Sequence, residues 1–452
     1  MLRRLALALG LILVPCAALA AGEAEEFFLD NGMQVVVIED HRAPAVTHMV
    51  WYRVGAADEP PGQSGIAHFV EHLMFKATDS MASGEFSRVV EENGGSDNAF
   101  TSWDYTGYFQ RIAADRLDLM MEMEADRMRN IVFDPVEVAT ERSVILEERS
   151  QRTDSSAGAL FTEQMRASLF LNHPYGIPII GWRHEMQGLT VEHAQAFYDT
   201  WYHPNNAILI VAGDVTPEEV RALAEEHYGP IPASDSLPER ARPTEPPHIA
   251  DRRLTLVDER VANPYVSIQM LAPVREPGDQ AEAAALFYLA QILGGSGQTS
   301  LMARQLQVEE QRSLYTAAFY DSTSFDASSF TLVNLPVPGV TLEEAEADIW
   351  RMVDLFLEDG IDQAQFDRIR FSVEASEIYS EDDTAGLARS YGADLTTGLS
   401  LADAEAWADV LAEVTPEDVM DAARRLFDDA STVTGYLLQP EPPQTDAVEA
   451  SQ

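Results

Sequence analysis

Thr190 and Thr415, Glu192 and Glu417, and Tyr202 and Phe427 are all separated by one offset of 225 residues, and this repetition constrains the fold more than any other feature of the chain. Residues 189–215, LTVEHAQAFYDTWYHPNNAILIVAGDV, read as a capped helix, a turn and a buried strand; residues 414–438, VTPEDVMDAARRLFDDASTVTGYLL, repeat that order. A repeat of that length in a chain of 452 residues implies two related halves, each mixed α and β. Between them, Pro230, Pro232, Pro238, Pro243, Pro246 and Pro247 stand among polar residues, which is linker composition. The expected division is 24–231, a linker at 232–250, 251–439, and a frayed tail at 440–452.

The N-terminus reads as a leader. Arg3 and Arg4 precede an apolar run from Leu5 to Val14, and Ala18-Leu19-Ala20 forms a small-x-small cleavage signature, so residues 1–20 are expected to be a secretory signal peptide and the mature chain periplasmic or secreted. Pro15 argues against a lipid anchor at Cys16, the only cysteine; once the leader is removed, disulfide and thiol chemistry drop out. No later stretch approaches the roughly 20 apolar residues of a membrane span. With 75 acidic against 30 basic residues the formal charge is -45, which disfavours nucleic acid and anionic lipid as partners. Lys76 is the only lysine, a bias from which no function is read.

Locally, 27–38 reads as strand, Asn-Gly turn and strand, Thr47 to Val54 continues the β pattern, and helix is expected to dominate to about Phe170. The chemistry concentrates in Ser64–Phe75. A Pro60-Pro61-Gly62 break precedes it, and no glycine or proline interrupts Ile66 to Phe75, so the stretch should be helical. His68 and His72 then stack at i and i+4, where two imidazoles converge on one tetrahedral ion, and Glu71 is near enough that face to reach a water beside it. A third ligand is needed. Asp134-Pro135 opens a second helix as N-cap and first-turn proline, and Glu141 and Glu148, seven apart, share one face of it.

His68-x-x-Glu71-His72 followed by Glu148, with Glu141 seven before it, resembles the pitrilysin family of zinc peptidases, which includes the mitochondrial processing peptidases. The resemblance implies an α+β fold of two homologous domains, each a mixed, mostly antiparallel sheet flanked by helices, closing as a clam shell. It implies one zinc ion per chain on His68, His72 and Glu148, with Glu71 as general base and Glu141 supporting a ligand. Glu147, about 100° around the helix, is expected to be a solvated acid. Gly94-Gly95 and the following Asn98, Ala99, Phe100 and Thr101 resemble the family's glycine turn and the edge strand on which peptides lie. His173 and His203 lie in later landmarks of the family and read as structural.

The family's C-terminal Arg/Tyr pair is less well matched: Leu301 stands where the arginine is expected, leaving Arg304 and Tyr315 as candidates to hold substrate. Some bacterial members divide these features between two chains, and this sequence resembles the zinc-bearing one. A dimer follows as the expected assembly, including a heterodimer with a homologous chain, and a peptide as the expected substrate. The alternative is a non-catalytic scaffold or binding subunit of the same fold. A serine hydrolase is disfavoured because Gly62-Gln63-Ser64-Gly65 and Gly294-Gly295-Ser296-Gly297 both fail G-x-S-x-G.

Overall fold

The computed structural model describes residues 24–295, 297–380, 382–428 and 431–440. The expected leader, Cys16 with it, and the tail apart from Pro440 lie outside the described residues. Eleven strands are described: β1 (Glu25–Phe28), β2 (Gln34–Glu39), β3 (Ala45–Tyr52), β4 (Ser96–Thr101), β5 (Thr106–Ala113), β6 (Ala207–Gly213), β7 (Arg252–Val257), β8 (Tyr265–Ala272), β9 (Ser313–Tyr320), β10 (Ser328–Pro336) and β11 (Val433–Leu438).

They form two sheets, in the orders β1-β2-β6-β3-β5-β4 and β7-β11-β8-β10-β9. The repeat is visible in this topology. β6 runs parallel to β2 and antiparallel to β3, and β11 runs parallel to β7 and antiparallel to β8. The helices before them, Val191–Trp201 and Pro416–Asp428, start 225 residues apart, each after a threonine. Thr190 caps the first by accepting a hydrogen bond from the His193 N–H, and Thr415 takes the same bond from Asp418. The pair β4 and β5 interrupts the helical run expected before Phe170.

Seven helices position the site and the core: α1 (Ile66–Leu73), α2 (Pro135–Arg149), α3 (Ala157–Leu169), α4 (Val191–Trp201), α5 (Ala281–Ala290), α6 (Thr384–Thr396) and α7 (Pro416–Asp428). α1 packs on α4, and α5 packs on α7. α5 therefore takes the place of α1 in the second half, but its sequence AEAAALFYLA carries no histidine, so the repeat duplicates the fold without the metal motif.

The central strands β2, β3 and β6 of the first sheet are buried on both faces. One face of the first sheet, with Val35, Val37, Val50, Leu209 and Val211, packs with α1 and neighbouring helices. The other, with Val36, Ile38, Met49, Trp51, Ile208 and Ile210, is covered by Ala388 and Leu395 of α6, a helix of the second half. The exchange is mutual. Phe161 and Met165 of α3, a helix of the first half, cover Val433 and Leu437 of β11. Glycine permits both close approaches: a Cβ on Gly392 would lie 2.1 Å from the Trp51 indole, and one on Gly435 would lie 2.2 Å from Met165 Sδ.

Residues 232–250 form neither helix nor strand, yet they are pinned. Arg242, 4% exposed, meets Asp58 at 3.0 Å and Asp104 at 2.5 Å in the first half and Asp326 at 3.2 Å in the second. Arg240 lies 3.4 Å from Asp58. A connector of linker composition thus supplies the cations for a buried acidic cluster between the halves.

Candidate metal centre and cleft

The first turn of α1 is held from outside. Gly65 enters at φ +86°, and a Cβ there would lie 2.6 Å from the Ile180 carbonyl, so only glycine suits this turn. The Glu59 carboxylate accepts the N–H groups of Gly65 and Ala67, each at 2.9 Å, and Glu185 accepts that of Ser64 at 2.8 Å. These carboxylates satisfy N–H groups that a helix start leaves free and complement its dipole. α2 starts as its sequence dictates, with Pro135 in the first turn and the Asp134 side chain accepting from Val136 and Glu137.

The two helices bring their polar faces together. The His68 and His72 rings lie 4.7 Å apart, and Glu148 Oε2 is 3.6 Å from His68 Nε2 and 3.3 Å from His72 Nε2. One ligand atom from each of the three residues lies within 4.8 Å of the others. Bonds of about 2.0–2.2 Å in a tetrahedral zinc site place neighbouring ligand atoms about 3.3–3.6 Å apart, and two imidazoles with one carboxylate are a zinc donor set that leaves a position free. The residues fit the metal.

Behind His72, Nδ1 donates to Glu141 Oε1 at 2.9 Å, and Lys76 Nζ donates to Glu141 Oε2 at 2.6 Å. This relay fixes the tautomer that leaves Nε2 as the lone-pair donor. Burial, with His72 and Arg152 nearby, pushes His68 down to about 3, so it is neutral. Burial also opposes protonation of His72, but its bond to Glu141 and the charges of Glu71 and Glu148 raise it overall. Glu71 is raised by burial, partly offset by the hydroxyl of Thr101, which donates to its Oε2.

His68, His72, Glu71 and Glu148 line one open cleft of about 800 Å³ with Asn98, Ala99, Phe100 and Thr101 of β4. β4 is an edge strand, paired on one side with β5. Glu147, as expected, is exposed. His203 donates to the Asp199 carbonyl, and His173 accepts from the Tyr175 N–H at a turn.

The structure does not bring Arg304 and Tyr315 to this cleft, whose lining comes from the first half. Arg304 lies in Ala303–Glu309, where burial of Ala303 and Leu306 turns it outward to Asp362 at 3.7 Å. Tyr315 is half-exposed on β9, the outer strand of the second sheet. Sequence reading missed Glu59, Lys76, Arg152 and Arg166. Lys76 alone left a signal, as the one lysine and one turn beyond His72.

Two histidines and a glutamate converging on one point, with a further glutamate beside an edge strand, form a site of the zinc-peptidase type. The chain belongs to peptidase family M16: residues 34–182 match the family model described as insulinase (peptidase family M16), and residues 188–373 match the one described as the M16 inactive domain. The zinc protease PqqE of Helicobacter pylori is 31% identical over 375 residues, covering 81% of this chain and 83% of that protein. A solved protease structure from H. pylori matches with a TM-score of 0.85 at 27% identity, over 93% of this chain and all of that one. The periplasmic protease PqqL of Escherichia coli shares the fold, with a TM-score of 0.79 at 19% identity; the match takes in 92% of this chain but only 48% of PqqL.

Proposed function

We propose that this chain is a zinc-dependent endopeptidase that cleaves extended peptides or unfolded polypeptides. The observation that carries the reading is the convergence of His68, His72 and Glu148 beside Glu71, in the cleft that β4 also lines. One zinc ion per chain, when bound by those three residues, supplies a Lewis acid that acidifies water and polarises a carbonyl.

The remaining steps belong to the protein's own groups. Glu141, braced by Lys76, holds His72 in its ligating orientation. Glu71, its proton affinity raised by burial, takes the proton of the attacking water and returns it to the leaving amine. Thr101 at the end of β4 orients that carboxylate, so the strand that receives substrate also sets the base. A peptide added to the free edge of β4 pairs through its backbone, which fixes register without demanding one sequence.

We also place the mature chain in the periplasm or outside the cell, on the leader-like sequence of residues 1–20 and the periplasmic naming of PqqL. We read it as one member of a dimer, a homologous second chain included. The support is that a fold of this size spans about half of PqqL and that, among the described residues, none of the second half lines the cleft.

Glu71→Gln is the test. The purified variant should hold zinc at wild-type stoichiometry and lose hydrolysis of unstructured peptides. Cleavage at the wild-type rate, with any natural partner chain present, would remove Glu71 from its role.

A further inference from the structure

The acids that line the cleft are all committed: Glu71 bonds Thr101, Glu148 completes the metal triad, and Glu163 pairs with Arg149 at 2.8 and 3.1 Å. The remaining charged side chains in the lining are Arg152 and Arg166. Arg166 is partly buried, its guanidinium lies 3.6 Å from the Trp103 ring centroid, and its Nε donates to the Tyr175 carbonyl at 2.7 Å. Among the described residues no carboxylate lies within ion-pair distance of it and no hydrogen bond involves its Nη groups. Burial lowers it to about 10, which leaves it charged at neutral pH.

A largely desolvated guanidinium with no carboxylate at ion-pair distance is costly, the more distant charges of Asp321 and Asp104 offsetting only part of that cost, and one set over an indole with its Nη groups unbonded is preorganised for a carboxylate. Arg152 stands beside the His68, His72 and Glu148 triad, 75% exposed and 2.7 Å from Glu148 Oε1. We propose that the cleft selects peptides carrying an aspartate or glutamate side chain near the scissile bond, with Arg166 as the specificity-determining residue and Arg152 adding positive potential at the rim. The proposal rests on the peptidase reading and inverts what the net charge of -45 suggests: an acidic surface around a cleft whose spare charge is positive.

The test uses quenched-fluorescent decapeptides, identical except for Glu, Gln or Lys at one position, with that position moved along each side of the cleaved bond. Cleavage is measured with the zinc-loaded mature protein, and binding of the same peptides by anisotropy with zinc-loaded Glu71→Gln. At one or two positions Glu should be favoured over Gln by about tenfold and Lys should be worst. Arg166→Gln should bring the Glu-to-Gln ratio to about one, and Arg166→Lys should keep part of the preference. A ratio of one at every position in the wild type overturns the proposal, and so does a preference that survives Arg166→Gln. A uniform loss on all peptides in Arg166→Gln would make the residue a support for Trp103 and nothing more. Preferential binding of Glu peptides with no cleavage by the wild type, any natural partner chain present, would sink the peptidase reading and leave the charge selection standing.

Discussion

Arg242→Met removes one side chain and strands two buried carboxylates. Asp58 and Asp104, 3% and 5% exposed, face Arg242 at 3.0 and 2.5 Å, and Asp326 of the second half faces it at 3.2 Å. Breaking a buried ion pair by removing one partner costs about 3–5 kcal/mol, because the other charge is left uncompensated. Arg240 remains 3.4 Å from Asp58 and softens the loss, so the low end, about 3 kcal/mol, is expected. The control is Arg88→Met, which breaks exposed pairs with Glu85 and Glu92 at 2.9 and 2.7 Å and should cost about 0–1 kcal/mol. Urea unfolding followed by tryptophan fluorescence compares the two variants on the full mature chain. Limited proteolysis should show the 232–250 connector cut sooner in Arg242→Met. Adding Asp104→Asn to Arg242→Met should recover stability, since it deletes a stranded charge. If Arg242→Met is no more destabilising than Arg88→Met, the buried cluster does not join the halves and the reasoning fails.

Two further substitutions test the packing around the site. Lys76→Met should free Glu141 and weaken zinc binding about 10- to 100-fold in a chelator competition, with little change in unfolding midpoint; unchanged affinity would detach Lys76 from the metal. Gly392→Ala places a Cβ within 2.1–2.5 Å of the Trp51 indole, so α6 must move off the first sheet. Overpacking of this kind costs about 1–3 kcal/mol, and a wild-type unfolding midpoint would show that the helix does not seat there as described.

What the sequence made legible was what depends on short-range pattern. Asp134-Pro135 announced α2, the uninterrupted run after Pro60-Pro61-Gly62 announced α1, and the offset between Thr190 and Thr415 announced two sheets of one topology. His68 with His72, and Glu141 with Glu148, were legible as pairs because helical spacing sets which residues share a face, whereas the meeting of the two pairs was implied only by the family resemblance. Features that depend on two distant segments meeting were not. Arg240 and Arg242 sit in a proline-rich, polar stretch that reads as solvent-facing, and only the fold shows them buried against Asp58 and Asp104. Arg166 looks like any arginine of an amphipathic helix until Trp103 and Tyr175 arrive beside it. Arg304 and Tyr315, chosen by matching the family's pair along the chain, stand away from the cleft for a related reason: such a match does not say which side of a strand or helix faces a cleft in the other half.

The mutual covering of the sheets explains why a half without a metal motif has to stay. If the second half were deleted, Val36, Ile38, Met49, Trp51, Ile208 and Ile210 would face water along three adjacent strands, an aggregation-prone surface. The second half, whose helix α5 lacks the histidines, is thus a permanent intramolecular chaperone for the half that has them. Neither gene fragment is expected to yield a soluble product alone, whereas the two expressed together should reassociate into the intact fold.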